Sequence, residues 1–320
     1  MARTHGAWLN PMDYQSAEYA LAASLLVCSM FGMGTTLTVS DIVRVFKQPS
    51  GLVIVLFLQC VVAPMVAVLL AALFRVSEGV AIGMLLVAAL PGGSYTNLFT
   101  YLGKGNVALS VAATTCCTAL CVVTTPTILQ VFGSMAAALG VMNSGTTGHV
   151  EMPAQLIFSE IGSWLLAPLA AGMLVRRLFP SHYSLPGKFA IWISFGLLIV
   201  LIGGAAFTGR LKILSEGLRA PLAIAAFGSA MLWITYGTCL LARRTIKDVF
   251  TIAIEVVVRN GNLALLLKAS LYPDGGDNPT VSSGVLYAIL FYVTVALFIA
   301  ILEVRVCRTH WGVIYGRGRP

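Results

Sequence analysis

Nine apolar runs, each about as long as a bilayer is thick, constrain this chain more than any other feature of its sequence. A helix of ~20 residues crosses a hydrocarbon core of ~30 Å. With a window of that length, the runs fall at 18–34, 51–74, 79–101, 106–132, 153–175, 189–208, 221–242, 250–271 and 283–304. They are continuous and do not alternate, which excludes a membrane β-barrel. The sequence therefore predicts an all-α polytopic membrane protein with nine transmembrane helices.

The composition supports a membrane environment and argues against a nucleic-acid partner. Of the 320 residues, 58% are hydrophobic and 10% are charged, whereas a soluble domain carries about a quarter charged residues. The net charge of +8 lies in short clusters between the apolar runs, as expected for the loops of a membrane protein. We therefore expect surrounding lipid, no soluble domain, no cleaved signal peptide, no nucleic-acid partner and no obligatory protein partner.

The positions of lysine and arginine predict which side of the membrane each loop faces, because cytoplasmic loops carry an excess of both. With the N-terminus outside, thirteen of the 20 basic residues lie in inner loops or the C-terminal tail and five lie outside. The remaining two, Arg259 and Lys268, lie within a span. In a cell or inner membrane, this bias predicts an extracellular tail at 1–17, a transmembrane domain at 18–304 and a cytoplasmic tail at 305–320.

Two spans contain interruptions that membrane physics disfavours unless they have a use. The first, at 90–97, contains a proline and two glycines, and the second, at 255–262, contains two charges and two amides. Asn97 and Asn260 are 163 residues apart, and that offset lays the first four spans on the last four with opposite orientation. Such paired interruptions indicate a secondary transporter whose site lies where the broken helices cross. We predict a first repeat at 18–132, an unpaired helix at 153–175 and a second repeat at 189–304.

The residues around both interruptions form motifs with a distinctive spacing. They are Gly32-Met33-Gly34, Gln59, Pro91-Gly92-Gly93, Thr96-Asn97, the run Thr100-Tyr101-Leu102-Gly103-Lys104-Gly105-Asn106-Val107-Ala108-Leu109-Ser110, Thr114, Glu255 and Asn260. In these motifs the chain, from about residue 20 to 304, resembles the bile acid:sodium symporter family. The resemblance implies a panel domain and a core domain, with two discontinuous helices that cross in the core beside the sodium sites. It also implies the nine-span form, which lacks the first helix of ten-span members.

The resemblance implies a first sodium site made of oxygen ligands. Its residues would be Thr96, Asn97, Ser110, Thr114 and Glu255. Sodium must shed water on binding, so it needs hydroxyl, amide, carboxylate and carbonyl oxygens around it. Each of these positions keeps an oxygen donor here, and sodium is therefore the only cofactor or metal that we expect.

The same resemblance implies a second sodium site, from which this chain departs at one position. The site would use Gln59 and Glu255, carbonyls near Val256 and Val258, and a side-chain amide where this chain has Arg259. A guanidinium carries only hydrogen-bond donors and a fixed positive charge, so it cannot ligate sodium and repels a sodium placed beside it.

Three interpretations of Arg259 remain open at the level of the sequence. Its guanidinium can replace the second sodium as a tethered cation beside Glu255, which leaves transport coupled to one sodium at most. It can instead face the cavity and bind an anionic substrate through its planar fork. Alternatively, Glu255 and Arg259, four residues apart, form a buried ion pair that only makes both charges tolerable in the membrane. A functional role is favoured because ionisable residues inside membranes usually serve function.

Other conspicuous residues are interpreted as structural. Thr100 is predicted to join helices through its hydroxyl group. Glu160 is interpreted as a paired or cavity-facing group, and Lys268 as a side chain that snorkels to the interface, in preference to a proton relay. The seven cysteines show no disulfide framework and are interpreted as packing residues, including the three on one span at 116, 117 and 121.

These features predict a secondary active transporter that couples sodium to an organic anion by alternating access. Half-helix N-termini at the two interruptions favour an anion, and Ser94 and Asn260 are the residues expected to contact it. The sequence has no metalloprotease, paired-aspartate or nucleophile-elbow motif, so we do not expect an enzyme. One alternative is a sodium-independent or proton-coupled carrier, which Arg259 keeps open, and another is a membrane receptor or regulatory protein without transport.

Overall fold

The computed structural model describes residues 11–38, 49–93, 95–142, 153–180, 184–207, 216–272 and 279–316. Within these ranges the chain forms helices and turns, with one isolated β-bridge and no strand. The helices are α1 Pro11–Gly34, α2 Pro49–Phe74, α3 Glu78–Ala89, α4 Tyr95–Leu102, α5 Val107–Ala138, α6 Ala154–Leu178, α7 Ser184–Phe207, α8 Arg219–Leu241, α9 Ile246–Val257, α10 Gly261–Leu271 and α11 Pro279–Gly316.

The prediction of an all-α polytopic membrane protein is confirmed. Within the described ranges, seven helices are long and apolar enough to cross a membrane, namely α1, α2, α5, α6, α7, α8 and α11. Large apolar side chains, such as Trp192 on α7 and Trp233 on α8, are exposed on the outside of the bundle. Water would penalise such a surface, whereas lipid tails accept it.

Several helices extend beyond the predicted spans. Helix α1 begins at Pro11, inside the segment predicted as an N-terminal tail, and α5 continues to Ala138. Helix α11 continues to Gly316, into the segment predicted as a cytoplasmic tail. The apolar runs mark only the part of a helix that lies in hydrocarbon, and helical hydrogen bonding continues into the polar flanks.

Two of the long helices contain a π turn next to a proline. The turns are Leu58–Val62 in α2 and Ile161–Leu166 in α6, and they lie beside Pro64 and Pro168. A proline inside a helix lacks an N–H and collides with the carbonyl four residues earlier, so the preceding turn widens. The wide turn of α2 contains Gln59, one of the predicted sodium ligands.

The helices pack in two groups. The first group comprises α1, α6 and α7, and the second comprises α2 to α5 and α8 to α11. Helix α1 packs against α10 and α6 packs against α5, which joins the groups. Glycines bring the helices of the first group together, because a Cβ on Gly34 would lie 2.2 Å from the Leu169 carbonyl oxygen.

Lys268 does not snorkel to the interface, so that prediction is wrong. Its side chain is 0% exposed, and its Nζ donates to Glu18 Oε1 at 2.8 Å. Glu160 is also buried and accepts hydrogen bonds from the hydroxyl groups of Tyr19 and Ser270. The snorkelling prediction considered only the position of Lys268 near the end of its span. Helix α1 covers the side chain, and packing between helices far apart in sequence cannot be seen from that position.

We expect Gly34→Ala to destabilise the first group of helices by about 1–3 kcal/mol, because the added methyl overlaps backbone of α6. Gly196→Ala on α7 is the matched control, since a Cβ there meets nothing within 4 Å, and it should be neutral or stabilising. Thermal unfolding in detergent measures both variants. Equal melting temperatures for the two would contradict the close packing of α1 on α6.

Candidate cation and substrate site

The two predicted interruptions are breaks between helices, and the backbones of the breaks bond to each other. Helix α3 ends at Ala89 before α4 begins at Tyr95, and α9 ends at Val257 before α10 begins at Gly261. The Gly93 N–H donates to the Val258 carbonyl at 3.1 Å, and the Asn260 N–H donates to the Pro91 carbonyl at 3.0 Å. Backbone groups that leave their helices therefore find partners inside the bundle.

Glycines permit this close approach. A Cβ on Gly92 would lie 2.2 Å from Glu255 Oε1, and a Cβ on Gly93 would lie 3.0 Å from the Arg259 carbonyl oxygen. Any larger side chain at Gly92 would push the carboxylate of Glu255 away from the first break. The glycine pair thus sets the separation between the two breaks.

A compact cluster of oxygen atoms lies beside the breaks, and it contains all five residues of the first predicted sodium site. Ser110 Oγ donates to Asn97 Oδ1 at 2.8 Å. Thr114 Oγ1 is 3.4 Å from Asn97 Oδ1, 3.0 Å from Glu255 Oε2 and 3.1 Å from Thr96 Oγ1. Residues from α4, α5 and α9 therefore converge on one point, as hard-cation coordination requires.

One oxygen of this cluster has no hydrogen-bond partner in the part of the chain that the structure describes. Glu255 is 0% exposed, its Oε2 is near Thr114, and its Oε1 has no hydrogen-bond partner among the described residues. A buried carboxylate oxygen without a partner is costly, and a bound cation is one way to satisfy it. The donor set around Glu255 fits sodium, since hydroxyl, amide and carboxylate oxygens are hard ligands.

The residues predicted for the second sodium site also lie together. Gln59 Nε2 donates to the Glu255 carbonyl at 3.0 Å, which places α2 against the end of α9. Val256 and Val258 are buried at the second break, and the Val258 carbonyl already accepts from Gly93. The position that would complete the site is occupied by Arg259.

The guanidinium of Arg259 is buried with only one donor partnered among the described residues. Arg259 is 4% exposed, and its Nη1 donates to the Leu90 carbonyl at 2.9 Å, while Nε and Nη2 have no partner. Leu90 and Gln59 border the same small void. Arg259 thus bonds the carbonyl of a residue that shares this void with Gln59, one residue of the second predicted site.

Glu255 and Arg259 do not form the direct ion pair that their spacing allowed. Among the described residues, neither the bonds of Glu255 nor those of Arg259 include the other side chain. The four-residue spacing assumes a continuous helix, but α9 ends at Val257 and Val258 is extended, so the two side chains leave the backbone in different directions. The interpretation as a simple structural ion pair is wrong in this conformation.

A cavity of about 660 Å³ lies next to the breaks, between α7, α4, α10 and α11. Its wall is largely apolar and aromatic, with Tyr95, Phe195 and Tyr292 among the lining residues. Polar groups are few, and they include Arg259 and Asn262. Its size and its few convergent polar groups are typical of a small-molecule site.

Of the two predicted substrate residues, Asn260 lies in the second break, between the cavity-lining residues Arg259 and Gly261. The Asn260 side chain caps α10 by accepting from the Leu263 N–H at 3.1 Å. Asn262, rather than Asn260, borders the cavity among the described residues. Ser94 lies outside the described residues, so its prediction stays open.

Sequence reasoning missed two residues that satisfy the helix ends at the breaks. Thr125 Oγ1 donates to the Ala89 carbonyl at 3.0 Å, and the Tyr292 hydroxyl donates to the Val257 carbonyl at 2.7 Å. Both are polar side chains within apolar spans, far from the breaks in sequence. Their polarity was the only signal, and it does not reveal a partner. Thr100, by contrast, bonds Ser110 on the neighbouring helix, as predicted.

The stretch from 103 to 106 also has a structural explanation. A Cβ on Gly103 would lie 2.2 Å from the ring of Phe250. The Asn106 side chain caps α5 and donates to Asp248 at 2.8 Å, and its N–H donates to Thr251 at 2.8 Å. These contacts hold α5, which carries Ser110 and Thr114, against α9, which carries Glu255.

Comparison with known proteins gives a consistent family. Residues 23–216 match the model of the sodium bile acid symporter family. The chain is 28% identical to a probable sodium/metabolite cotransporter BASS1 of Oryza sativa subsp. japonica, over 75% of this chain and 56% of that protein. It is 27% identical to the uncharacterized sodium-dependent transporter YocS of Bacillus subtilis (strain 168), over 75% of this chain and 71% of that protein. It is also 27% identical to the Homo sapiens ileal sodium/bile acid cotransporter, over 62% of this chain and 53% of that protein.

Replacing Tyr292 with Phe should destabilise the protein by about 1–3 kcal/mol, because the buried Val257 carbonyl at the second break loses its donor. Tyr101→Phe is the matched control, since Tyr101 is exposed on α4. Thermal unfolding in detergent compares the two variants. A Tyr292→Phe variant as stable as the native chain would show that the carbonyl does not need this hydroxyl.

Proposed function

Because the chain belongs to the sodium bile acid symporter family, whose members are transporters rather than enzymes, we propose that it is a sodium-coupled secondary transporter of an organic anion. The observation that carries the proposal is the oxygen cluster at the paired breaks, with Glu255 Oε1 buried and unpartnered among the described residues. The names of the relatives agree, since all three are described as sodium cotransporters or as sodium-dependent.

In the proposed architecture the chain crosses the membrane nine times. Seven long helices each form one span, and the pairs α3–α4 and α9–α10 each form one broken span. The first repeat would cover 18–132 and the second 189–304, with 153–175 unpaired. The second group of helices would be the core domain and the first group the panel domain. The N-terminus would be outside and the C-terminus cytoplasmic, as the basic residues predict.

Sodium would bind between Thr96, Asn97, Ser110, Thr114 and Glu255. Their oxygens belong to both broken spans and to α5, so a bound sodium would hold the two breaks in one arrangement. When sodium fixes the two breaks in this way, the affinity of the site for a nearby anion rises. By linkage, the bound anion raises the affinity for sodium by the same factor. This mutual effect would couple the sodium gradient to uptake.

Arg259 would act as a tethered cation in place of the second sodium. Its Nη1 bonds the Leu90 carbonyl, in the wall of the void that Gln59 also borders, and its guanidinium does not pair directly with Glu255. A fixed charge there would repel a second sodium beside Gln59, Val256 and Val258. One sodium per transport cycle is the consequence.

The anion would bind in the aromatic cavity beside the breaks. Helices α4 and α10 begin there, and helix N-termini favour negative charge. Ser94 and Asn260 remain the predicted contacts, and Asn262 and Arg259 border the cavity. The apolar wall suits an anion with an apolar body.

One alternative within transport is a sodium-independent or proton-coupled carrier. Arg259 favours this alternative, because its tethered positive charge reduces the need for a bound sodium ion near the breaks. The alternative from another class is a membrane receptor or regulatory protein, which would bind the anion without moving it. The first transport experiment below separates the three.

In proteoliposomes we expect an inward sodium gradient to drive uptake of radiolabelled organic anions, and an equal potassium gradient not to do so. Thr114→Val should weaken apparent sodium affinity about tenfold or more, since a shared oxygen of the cluster is lost. Thr127→Val, on an exposed part of the same helix, is the matched control. Anion uptake that does not depend on the sodium gradient would favour the sodium-independent or proton-coupled carrier. Binding of the anion without uptake would favour the receptor.

Equilibrium binding of radioactive sodium to the purified protein should give one sodium per chain. Arg259→Gln restores the amide that the family resemblance implies, so this variant should bind two. Arg219→Gln, which removes an exposed charge at the start of α8, should still bind one. Two sodium ions bound to the native chain would refute the tethered cation and leave sodium coupling itself intact.

A further inference from the structure

A buried polar cluster lies away from the breaks and joins the two helix groups. It contains Glu18 and Tyr19 on α1, Glu160 on α6, and Lys268 and Ser270 on α10. None of these side chains bonds a residue of the proposed sodium site among the described contacts. The cluster therefore needs an explanation of its own.

The centre of the cluster is an ion pair across the boundary between the groups. Lys268 Nζ lies 2.8 Å from Glu18 Oε1, and the two side chains are 0% and 8% exposed. A buried ion pair seldom stabilises a protein more than apolar packing of the same volume, because both charges lose their hydration. Its presence between the two helix groups is better explained by a use in which the charges separate.

A second set of bonds crosses the same boundary. The Tyr19 hydroxyl lies 3.0 Å from both carboxylate oxygens of Glu160, and Ser270 Oγ donates to Glu160 Oε1 at 3.1 Å. Tyr19 and Glu160 belong to the first group, whereas Ser270 belongs to the second. Helix α10 is thus tied to α1 by a charge and to α6 by a hydroxyl, within one turn of helix.

The cluster lies on one side of the breaks, whereas the aromatic cavity spans their level and extends farther on the other side. Tyr292 bonds Val257, so the middle of α11 lies level with the second break. Ser282, near the start of α11, bonds the Tyr272 carbonyl just past Lys268 and Ser270. Along α11 the cavity is lined from Tyr287 to Ile301, so it begins on the cluster side of Tyr292 and extends farther past Tyr292 in the opposite direction.

We propose that Glu18, Lys268, Tyr19, Glu160 and Ser270 form a latch that closes one side of the transport pathway while the cavity is open toward the other. The inference rests on the proposed function, because a latch has meaning only if the two groups move during transport. With the proposed orientation the latch is on the outer side, and the structure is an inward-facing state. Opening to the outside separates α1 from α10 and breaks the pair.

Charges suit a contact that must form and break. When the latch is closed, Lys268 and Glu18 neutralise each other in a dry site. When it opens, water enters between the groups and hydrates both charges, which lowers the cost of separation. An apolar contact of equal area would instead expose apolar surface to water on opening.

Cysteine labelling tests the latch without any transported substrate. Ala22→Cys is the reporter, because Ala22 is 0% exposed and lies one turn deeper than Glu18 on the same face of α1. A membrane-impermeant maleimide is added to either side of the membrane in turn, and the chain without Ala22→Cys gives the background of the native cysteines. In the chain whose only substitution is Ala22→Cys, we expect the reporter to be labelled slowly from the outer side.

Adding Glu18→Gln should accelerate labelling of the reporter about tenfold or more, since Lys268 then loses its charged partner and the closed state is disfavoured. The swapped pair Glu18→Lys with Lys268→Glu should return the rate toward the native value. The control reporter Ala223→Cys, 0% exposed on α8, should stay protected in every variant.

Unchanged labelling in Glu18→Gln, or equal gains at Ala22→Cys and Ala223→Cys, would overturn the latch. The second outcome would mean that the pair only stabilises the fold. Because labelling needs neither sodium nor an anion, a failed latch is distinguishable from a failure of the proposed transport function.

Discussion

Two stretches of backbone that leave their helices satisfy each other deep in the bundle, and the rest of the structure depends on this exchange. Hydrocarbon offers no water to an unpaired N–H or carbonyl, and each such group costs several kcal/mol. The bonds from Gly93 to Val258 and from Asn260 to Pro91 remove that cost. Glycines, a threonine and a tyrosine complete the arrangement, because they allow close approach or supply the remaining donors.

The buried charged side chains of this protein differ in how completely they are hydrogen-bonded or paired. At the breaks, Glu255 and Arg259 each keep atoms that have no hydrogen-bond partner among the described residues. Between α1 and α10, Lys268 and Glu18 satisfy each other directly. An incompletely satisfied charge suits a place where a ligand arrives, and a paired charge suits a contact between two bodies. The two functions proposed for these places follow from that difference.

Much of the architecture could be predicted from the sequence. The apolar runs located the long helices, and proline, glycine and paired amides located both breaks. The five residues predicted to bind sodium came from the family resemblance, and the structure brings them together. The failures have two causes: the burial of Lys268 depends on which helix lies opposite, whereas Glu255 and Arg259 are separated because α9 ends between them. Hydropathy along one chain does not contain that information, and neither does spacing across a broken helix.

The sequence by itself determined that this protein lies in a membrane, that it is helical, and that two of its spans are interrupted. These properties follow from local chemistry, because hydrocarbon selects apolar helices and proline with glycine disrupts them. Only the tertiary structure decided that the two interruptions meet, that Arg259 bonds Leu90, and that Glu18 covers Lys268. Each of these contacts joins residues at least 163 positions apart in the chain, and three-dimensional packing alone selects the partner at such separations.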